Sequence, residues 1–379
     1  MLRFSVWVGA YGKRQLNLSA QEIMEFPFFM GGRKMRRNVL KGLVASILAV
    51  TVQGAAGPVF AQDAAAFYEG EKITWIVPYK PGGGYDEYAR LIAPFLERYT
   101  HARVEIENMP GAGGMRGANE IFNAPNDGLT IGIINGSAMV TNELSEIEGA
   151  AYRVADYNFL GRVVADSRVL VVPTTSPYYS LADILASESP VKIGATGLGG
   201  STYVDAVLVG SAFGLNQQVI HGFGSSSDVR QALLRGDIDA MWGSLGSALS
   251  GVAAGDNRVI VHGGMEMLEN FQDVESLFSY VEQAADPVHS QMILDAWSAL
   301  NAVGRPVAAP PGVPQDRVEF LAEAFRNVMQ DPEFIAAAEE AGRSLSYIDG
   351  AAMAAIASAS TDLTPELKEL FVAAIRGEL

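Results

Sequence analysis

The chain contains no cysteine among its 379 residues. A disulfide, a lipid-modified amino-terminal cysteine, a nucleophilic thiol and a cysteine-ligated metal are therefore all excluded. Histidine is also scarce, and the few that occur show no metal-ligand spacing: His101, His221, His262 and His289. No Gly-x-Ser-x-Gly nucleophile motif accompanies them. We therefore expect no catalytic residue, no metal and no cofactor.

Long apolar runs are missing as well. The segment from Gly42 to Val52 is too short for a membrane span, which needs about 20 residues. A basic stretch, Met35 to Lys41, precedes it, and the small-residue site Val59-Phe60-Ala61 follows. This order predicts a signal peptide over residues 35–61, with cleavage near Ala61 and a freely diffusing periplasmic product. The Arg36-Arg37 pair leaves Sec and Tat export both open.

Residues 1–34 precede this signal and show no hydrophobic period. We interpret them as an upstream extension or as the product of a mis-assigned start.

Positively charged residues are few: the whole chain has a net charge of −16, and beyond residue 61 there remain 19 basic against 41 acidic residues. Nucleic acid and anionic lipid are poor partners for such a surface. A small anion is not excluded, because a helix N-terminus supplies a local positive field.

Short apolar strands alternate with amphipathic helices along the chain. Ile73 to Val77 is a strand-type run, and the helix after it carries Tyr88 and Ile92 on one face. A second strand–helix series begins near Val169 and ends in the buried run Ile238 to Trp242. This pattern predicts an α/β protein of two lobes with largely parallel sheets.

Three glycine-rich segments lie between predicted strands and helices: Pro78–Asp86, Asn108–Gly114 and Gly194–Thr202. Glycines let the backbone approach a ligand closely, and the helix start beyond each one points unpaired N–H groups at an anion. The alternative for each is an ordinary tight turn. Neither the dinucleotide fingerprint nor a phosphate-binding Gly-Lys-Ser/Thr is complete in these segments.

The first glycine segment carries a family resemblance. Residues 76–86, Ile-Val-Pro-Tyr-Lys-Pro-Gly-Gly-Gly-Tyr-Asp, are similar to the Pro-Phe-x-Pro-Gly-Gly-x-x-Asp signature of tripartite tricarboxylate transporter substrate-binding proteins, the Bug receptors. Four further segments resemble family motifs in the same order: 107–114, 124–130, 236–239 and 307–314. These matches extend over most of the predicted mature chain.

The resemblance implies the type II periplasmic-binding-protein fold, with ligand held in a cleft between two α/β lobes. We assign residues 62–168 and 298–379 to lobe 1 and residues 169–297 to lobe 2. Strands that cross between the lobes are expected near Arg162 to Val169 and near Trp297 to Val303.

Carried over to this chain, the resemblance implies ligand contacts in both lobes. A carboxylate is then expected to be held by main-chain groups, hydroxyls and water, without an arginine clamp, in agreement with the lack of a basic cluster in the sequence. Tyr203 stands where the family usually has His, and residues 221–224 also depart from its pattern. The predicted ligand-binding residues are Tyr79, Gly82, Gly83, Gly84, Tyr85, Asp86, Asn135, Gly136, Ser137, Thr196, Gly197, Leu198, Gly199, Gly200, Ser201, Thr202, Tyr203 and Phe223.

The implied function is a periplasmic solute-binding protein. It would capture a small carboxylate, act as a monomer and deliver the ligand to the membrane permease subunits of a tripartite transporter. One alternative is a sensor of the same fold whose closure is read by a signalling receptor. Another is an exported hydrolase that uses Ser201 or an acidic residue, although no ordered triad motif supports it.

Overall fold

A computed structural model describes residues 59–264, 271–376 and 378 of the chain. The expected upstream extension and nearly all of the expected signal peptide lie outside the described residues. The first described element is a helix, Val59–Tyr68, which runs across the expected cleavage position after Ala61. No helix within the described ranges is long and apolar enough to cross a membrane.

Eleven strands and thirteen α-helices make up the described part of the chain. The strands are β1 (Lys72–Val77), β2 (Arg103–Asn108), β3 (Thr130–Ile133), β4 (Asn158–Arg162), β5 (Arg168–Pro173), β6 (Val191–Gly194), β7 (Gln217–Ile220), β8 (Ala240–Ser244), β9 (Asn257–His262), β10 (Pro306–Ala309) and β11 (Ile348–Asp349). The helices are α1 (Val59–Tyr68), α2 (Gly84–Thr100), α3 (Met115–Asn123), α4 (Gly136–Leu144), α5 (Leu181–Leu185), α6 (Ser201–Phe213), α7 (Ser226–Arg235), α8 (Leu245–Ala253), α9 (Pro287–Val303), α10 (Gln315–Gln330), α11 (Pro332–Glu340), α12 (Gly350–Thr361) and α13 (Pro365–Arg376).

The strands form two sheets, as expected for two α/β lobes. The first sheet has the order β11-β4-β10-β3-β1-β2, and the second has the order β7-β6-β8-β5-β9. The expectation of largely parallel sheets is wrong, because both sheets are mixed. In the first, β10 runs antiparallel to β3 and β4, and in the second, β5 runs antiparallel to β8 and β9. Each of these two strands follows a crossing from the other sheet, and each enters its new sheet in the reverse direction.

The apolar spacing of the sequence explains the helices that cover the first sheet. Leu321, Phe325 and Val328 recur at helical intervals in α10 and are fully buried with Trp75 of β1. Asp331 caps α11 by accepting a hydrogen bond from Glu333 N–H, and Pro332 occupies the first turn, as the sequence predicts.

Two short segments connect the sheets. The first crossing lies between Arg162, the last residue of β4, and Arg168, the first residue of β5, as expected. The second expectation is wrong, since Trp297 to Val303 is the end of α9 and not a strand. Ile293, Trp297 and Leu300 recur at helical spacing and are buried, which explains the helix.

The chain enters the first sheet through Gly304 and Arg305. These residues pair with the first crossing: Arg305 N donates to Val164 O at 2.9 Å, and Val163 N donates to Arg305 O at 3.0 Å. Gly304 has a φ of +62° and a ψ of −126°, a combination that glycine tolerates and other residues avoid. A Cβ at this position would lie 2.1 Å from Val164 O. The junction of the two crossings therefore requires glycine.

We expect Gly304→Ala to lower the free energy of unfolding by about 3 kcal/mol, because backbone strain and a steric clash act together. The matched control is Gly255→Ala, at a φ of +76° with open space around the added Cβ. The control should cost only about 1 kcal/mol. Urea unfolding followed by circular dichroism measures both, and equal losses would contradict the role assigned to the junction.

Candidate functional site

A cavity lies where the carboxyl ends of β1, β6 and β8 face one another across the two sheets. Its volume is about 30 Å³, which is room for two or three water molecules at roughly 10–15 Å³ each. The residues that line it come from both sheets and from the second crossing. They are Tyr79, Gly83, Gly84, Tyr85, Arg168, Thr196, Ser201, Thr202, Ser226, Gly243, Ser244, Ser247 and Arg305.

On the first-sheet side, the cavity wall is the start of α2. Gly83 is the N-cap of this helix, and no side chain caps it. The N–H groups of the first helical turn have no partner within the helix and carry partial positive charge. Gly84 is in close contact with the opposite wall, since a Cβ there would lie 2.5 Å from Ser247 Oγ. The first glycine segment thus brings a helix start directly to the cavity.

On the second-sheet side, two more helices begin at the cavity. Gly200 is the N-cap of α6 and Ser244 is the N-cap of α8, and the structure gives neither a side-chain capping bond. The hydroxyls of Thr196 and Thr202 lie 3.0 Å apart at the start of α6. Three helix starts from both sheets therefore converge on one small cavity, an arrangement that favours an anion.

Asn135 links the two sides behind the cavity. Its Nδ2 donates to Tyr79 Oη at 2.6 Å and to Ser201 Oγ at 3.0 Å. The Tyr79 hydroxyl in turn donates to Gly113 O at 2.7 Å. Burial raises the pKa of Tyr79 to about 12, so its hydroxyl remains a donor at neutral pH. Through Asn135, these bonds hold Tyr79 next to Ser201, the first residue of helix α6.

The second glycine segment also contacts the opposite side. A Cβ at Gly197 would lie 2.4 Å from Gly113 N, and a Cβ at Gly113, where φ is +65°, would lie 2.5 Å from Gly200 N. The two loops therefore touch backbone to backbone, with no space for a side chain in this arrangement. Glycine is therefore needed at position 113 for the contact between the two sides of the cavity, and not only for the turn in its own loop.

A network of buried charges forms the floor of the cavity. Arg168 Nε donates to Asp205 Oδ2 at 2.9 Å, and Trp297 Nε1 donates to Asp205 Oδ1 at 2.8 Å. Burial raises the pKa of Asp205, and the charge and hydrogen bonds of Arg168 oppose that rise. For Arg168, burial acts to lower the pKa, but the carboxylates of Asp205 and Asp166 outweigh it and raise the pKa.

The network continues into the second crossing. Arg305 Nε donates to Asp166 Oδ1 at 3.0 Å, and Arg305 Nη2 donates to Ser244 Oγ at 2.7 Å. Asp166 also lies 3.9 Å from Arg168 Nη1. The sequence shows no basic cluster, yet both Arg168 and Arg305 line the cavity. The two arginines are far apart in sequence, and folding places both at the cavity.

Seven of the predicted ligand-binding residues line the cavity: Tyr79, Gly83, Gly84, Tyr85, Thr196, Ser201 and Thr202. Gly197 and Phe223 line a neighbouring crevice together with Tyr79 and the second glycine segment. Leu198 is 44% exposed and does not line the cavity.

The remaining predicted residues lie beside the cavity and support its walls. Asp86 is buried and accepts hydrogen bonds from Gly82 N, Arg90 Nε and Asn108 Nδ2, each at 2.9 Å. Burial raises the pKa of Asp86, but these bonds outweigh it and lower the pKa below its usual value. Its carboxylate therefore holds the first glycine loop in place and does not face the cavity.

The other supporting residues act through backbone and packing. Gly136 N donates to Gly304 O at 2.9 Å, and Ser137 Oγ donates to Asn135 Oδ1 at 3.2 Å. A Cβ at Gly199 would lie 2.1 Å from Asn142 Oδ1. Gly200 is the N-cap of α6, and the ring of Tyr203 packs edge-on against His221.

Sequence reasoning missed six lining residues: Arg168, Ser226, Gly243, Ser244, Ser247 and Arg305. A signal for the two arginines was present, because each is a lone charge next to an apolar run at or beside a predicted crossing. Asp166 carried the same signal. The serines gave none, since isolated serines are common in loops and helix starts.

The fold and the cavity together define a class. Two mixed α/β sheets, joined by two crossings, with helix starts from both sides meeting in a cleft, are the architecture of two-lobed periplasmic binding proteins. Residues 89–362 match the model of the tripartite tricarboxylate transporter family receptor. The chain belongs to this family and is a solute-binding receptor of it.

Individual relatives agree with this assignment. The UPF0065 protein in the tcbD-tcbE intergenic region of Pseudomonas sp. (strain P51) is 29% identical over 314 residues, which are 81% of this chain and 86% of the relative. Among solved structures, the periplasmic binding protein BugD is similar at a TM-score of 0.68 and 19% identity, covering 81% of this chain and 98% of BugD. MatC from Rhodopseudomonas palustris with bound malate has a TM-score of 0.64 and 20% identity, covering 80% and 99%. These structures confirm the two-lobe fold.

The two tyrosines of the first glycine segment differ in their hydrogen bonds and give a paired prediction. Tyr79→Phe leaves Gly113 O and an Asn135 N–H without their partner, so we expect a loss of about 1–3 kcal/mol in the free energy of unfolding. The Tyr85 hydroxyl is buried and has no partner among the described residues. Tyr85→Phe removes this unpaired hydroxyl, so it should leave stability unchanged or raise it. Urea unfolding of both variants is the measurement, and a larger loss for Tyr85→Phe would contradict the bonding scheme.

Proposed function

We propose that the protein is an exported receptor that binds a small carboxylate between its two lobes and delivers it to the membrane subunits of a tripartite transporter. The observation that carries this proposal is the convergence of three helix starts, from α2, α6 and α8, on one cavity. Each start lacks a side-chain cap. At α8 the Leu245 N–H donates to Ser167 O, and at α6 the Tyr203 N–H donates to Gly200 O, so the remaining N–H groups of the first turns are those proposed to bind a ligand oxygen. The proposed site includes the predicted residues that line the cavity together with Arg168, Arg305 and the serines.

The proposed lobes are residues 62–168 with 298–379, and residues 169–297. Sheet membership supports this division, since every strand of the first sheet falls in the first pair of segments and the second sheet departs from it only at Arg168. The cavity of about 30 Å³ has room for only a few water molecules. We therefore propose that the lobes separate to admit the ligand and close around it.

Several features support a binding role over catalysis. The Ser201 hydroxyl accepts a hydrogen bond from the Asn135 amide, and His221 packs its ring against Tyr203. Within residues 59–264, 271–376 and 378, no group of three or more His, Asp or Glu side chains is arranged to hold a metal ion. We therefore propose a non-enzymatic, monomeric receptor of the periplasm, exported by a Sec or Tat signal that is cleaved near Ala61.

The first experiment is a thermal-shift screen of the purified protein against mono-, di-, tri- and aromatic carboxylates. Malate is included because it is the ligand of the similar MatC structure. A ligand at 100 times its Kd adds about 2.7 kcal/mol to the stability of the folded state. We expect a clear rise in melting temperature with one acid class. No rise with any acid would refute the carboxylate proposal.

A substitution at Gly83 tests the first-lobe wall. The φ of this residue is −100° and its ψ is 166°, so valine fits the backbone without strain. A Cβ there would lie 3.4 Å from Ser226 Oγ, and the methyl groups of valine would occupy the cavity. We expect Gly83→Val to fold normally and to weaken carboxylate binding at least tenfold, as measured by calorimetric titration. Ala336→Val, at an exposed position of α11 outside the cavity lining, adds methyl groups away from the site; it is the control and should bind as the wild type does.

A further inference from the structure

Arg305 has an unused hydrogen-bonding group inside the cleft. Its side chain is buried, with the residue only 3% exposed, and it lines the cavity. Two of its nitrogens are engaged, since Nε donates to Asp166 and Nη2 donates to Ser244. Nη1 is buried and has no hydrogen-bond partner among the residues that the structure describes. A buried, charged donor left unpaired is costly, so a partner is needed there.

The surroundings of Nη1 show what kind of partner fits. A Cβ added to Gly84 would lie 2.8 Å from this atom, so the guanidinium faces the first residue of α2. The start of a helix carries partial positive charge, and the guanidinium carries a full one. Two positive groups at such close range repel each other unless an anion lies between or beside them. The position therefore suits a negatively charged oxygen.

The nearby carboxylates do not meet this need. Asp166 bonds Nε on the other edge of the guanidinium, and Asp205 is engaged by Arg168 and Trp297. The rings of Tyr85 and Tyr88 pack against the guanidinium, with their centroids 4.5 and 5.0 Å from Arg305 Cζ. These contacts hold the guanidinium in one orientation, so that Nη1 is fixed at the cavity.

We propose that Arg305 Nη1 binds a carboxylate oxygen of the ligand directly, and that Arg305 is the residue by which this receptor selects a carboxylate over a neutral amide or alcohol of the same shape. The inference rests on the proposed function, because it assigns the residue that recognises the ligand's charge. Asp166 is then a positioning residue, which orients the guanidinium and reduces its net field at the cavity.

The roles of Arg305 and Asp166 predict opposite effects on binding. Arg305→Gln removes the charge and should weaken binding of a carboxylate 10- to 100-fold. Asp166→Asn removes the negative charge that competes for the guanidinium but keeps an oxygen that can accept from Arg305 Nε, so carboxylate binding should be tighter. Both substitutions disturb the same buried network, and a merely structural role would weaken binding in both. The double variant Asp166→Asn/Arg305→Gln removes both charges, which restores their balance and favours folding, and it should bind as poorly as Arg305→Gln.

The probes are formate, acetate, malate and malamide, titrated at constant ionic strength with chloride as the balancing anion. Calorimetric titration gives the affinity, and circular dichroism confirms that each variant is folded. Arg162→Gln is the matched control, because Arg162 is a buried arginine at the first crossing that bonds Ala302 O and Ser346 O outside the cavity lining. It should bind carboxylates as the wild type does.

The outcomes separate the two proposals. Wild-type preference for malate over malamide, lost in Arg305→Gln and kept in Asp166→Asn, supports the role of Arg305. If a carboxylate binds the wild type and Arg305→Gln within twofold of each other, the assignment of Arg305 is wrong while the receptor function stands. If the wild type binds no carboxylate at all, the proposed function fails and this inference fails with it.

Discussion

The position of Asp166 between two arginines is the interaction on which the site depends. This carboxylate bonds Arg305 Nε at 3.0 Å and lies 3.9 Å from Arg168 Nη1, with all three side chains almost fully buried. Arg305 follows one crossing and Asp166 lies in the other, so the ion pair joins the only two stretches described that connect the sheets. Removing one partner of such a pair is costly, because it leaves an uncompensated charge in the interior. The buried ion pair between Asp166 and Arg305 therefore fixes how the two crossings lie against each other.

The elements with a strong local pattern were predictable from the sequence. Strand β1 and helix α2 have apolar residues at strand and helix spacing, and the structure confirms both. Helix α4 has no such pattern, because nearly all of its residues are buried, including the polar residues Ser137, Thr141 and Asn142. The antiparallel insertions of β5 and β10 were missed as well, since strand direction depends on where the chain crosses between sheets and not on local composition.

The candidate site was predictable in part for a related reason. Glycine loops with adjacent hydroxyls are contiguous in sequence, so Gly83, Gly84, Ser201 and Thr202 could be identified, and all four line the cavity. Asp166 and Arg305 are 139 positions apart, and their proximity arises only from folding. Asp86 differs from these residues: its place in the motif predicts ligand contact, and in the structure its oxygens accept hydrogen bonds from Gly82, Arg90 and Asn108.

The backbone contact between Gly113 and the loop of Gly197 and Gly200 has a consequence for rates. When side chains interlock across a closing interface, each must adopt one rotamer, which costs entropy, and each must be withdrawn before the interface reopens. Glycines have no rotamers to freeze and no side chains to withdraw. If the lobes separate as proposed, this contact adds no side-chain ordering cost to closure and no side chain to withdraw on opening. A receptor that has to release its ligand benefits from a contact between the lobes that is itself weak.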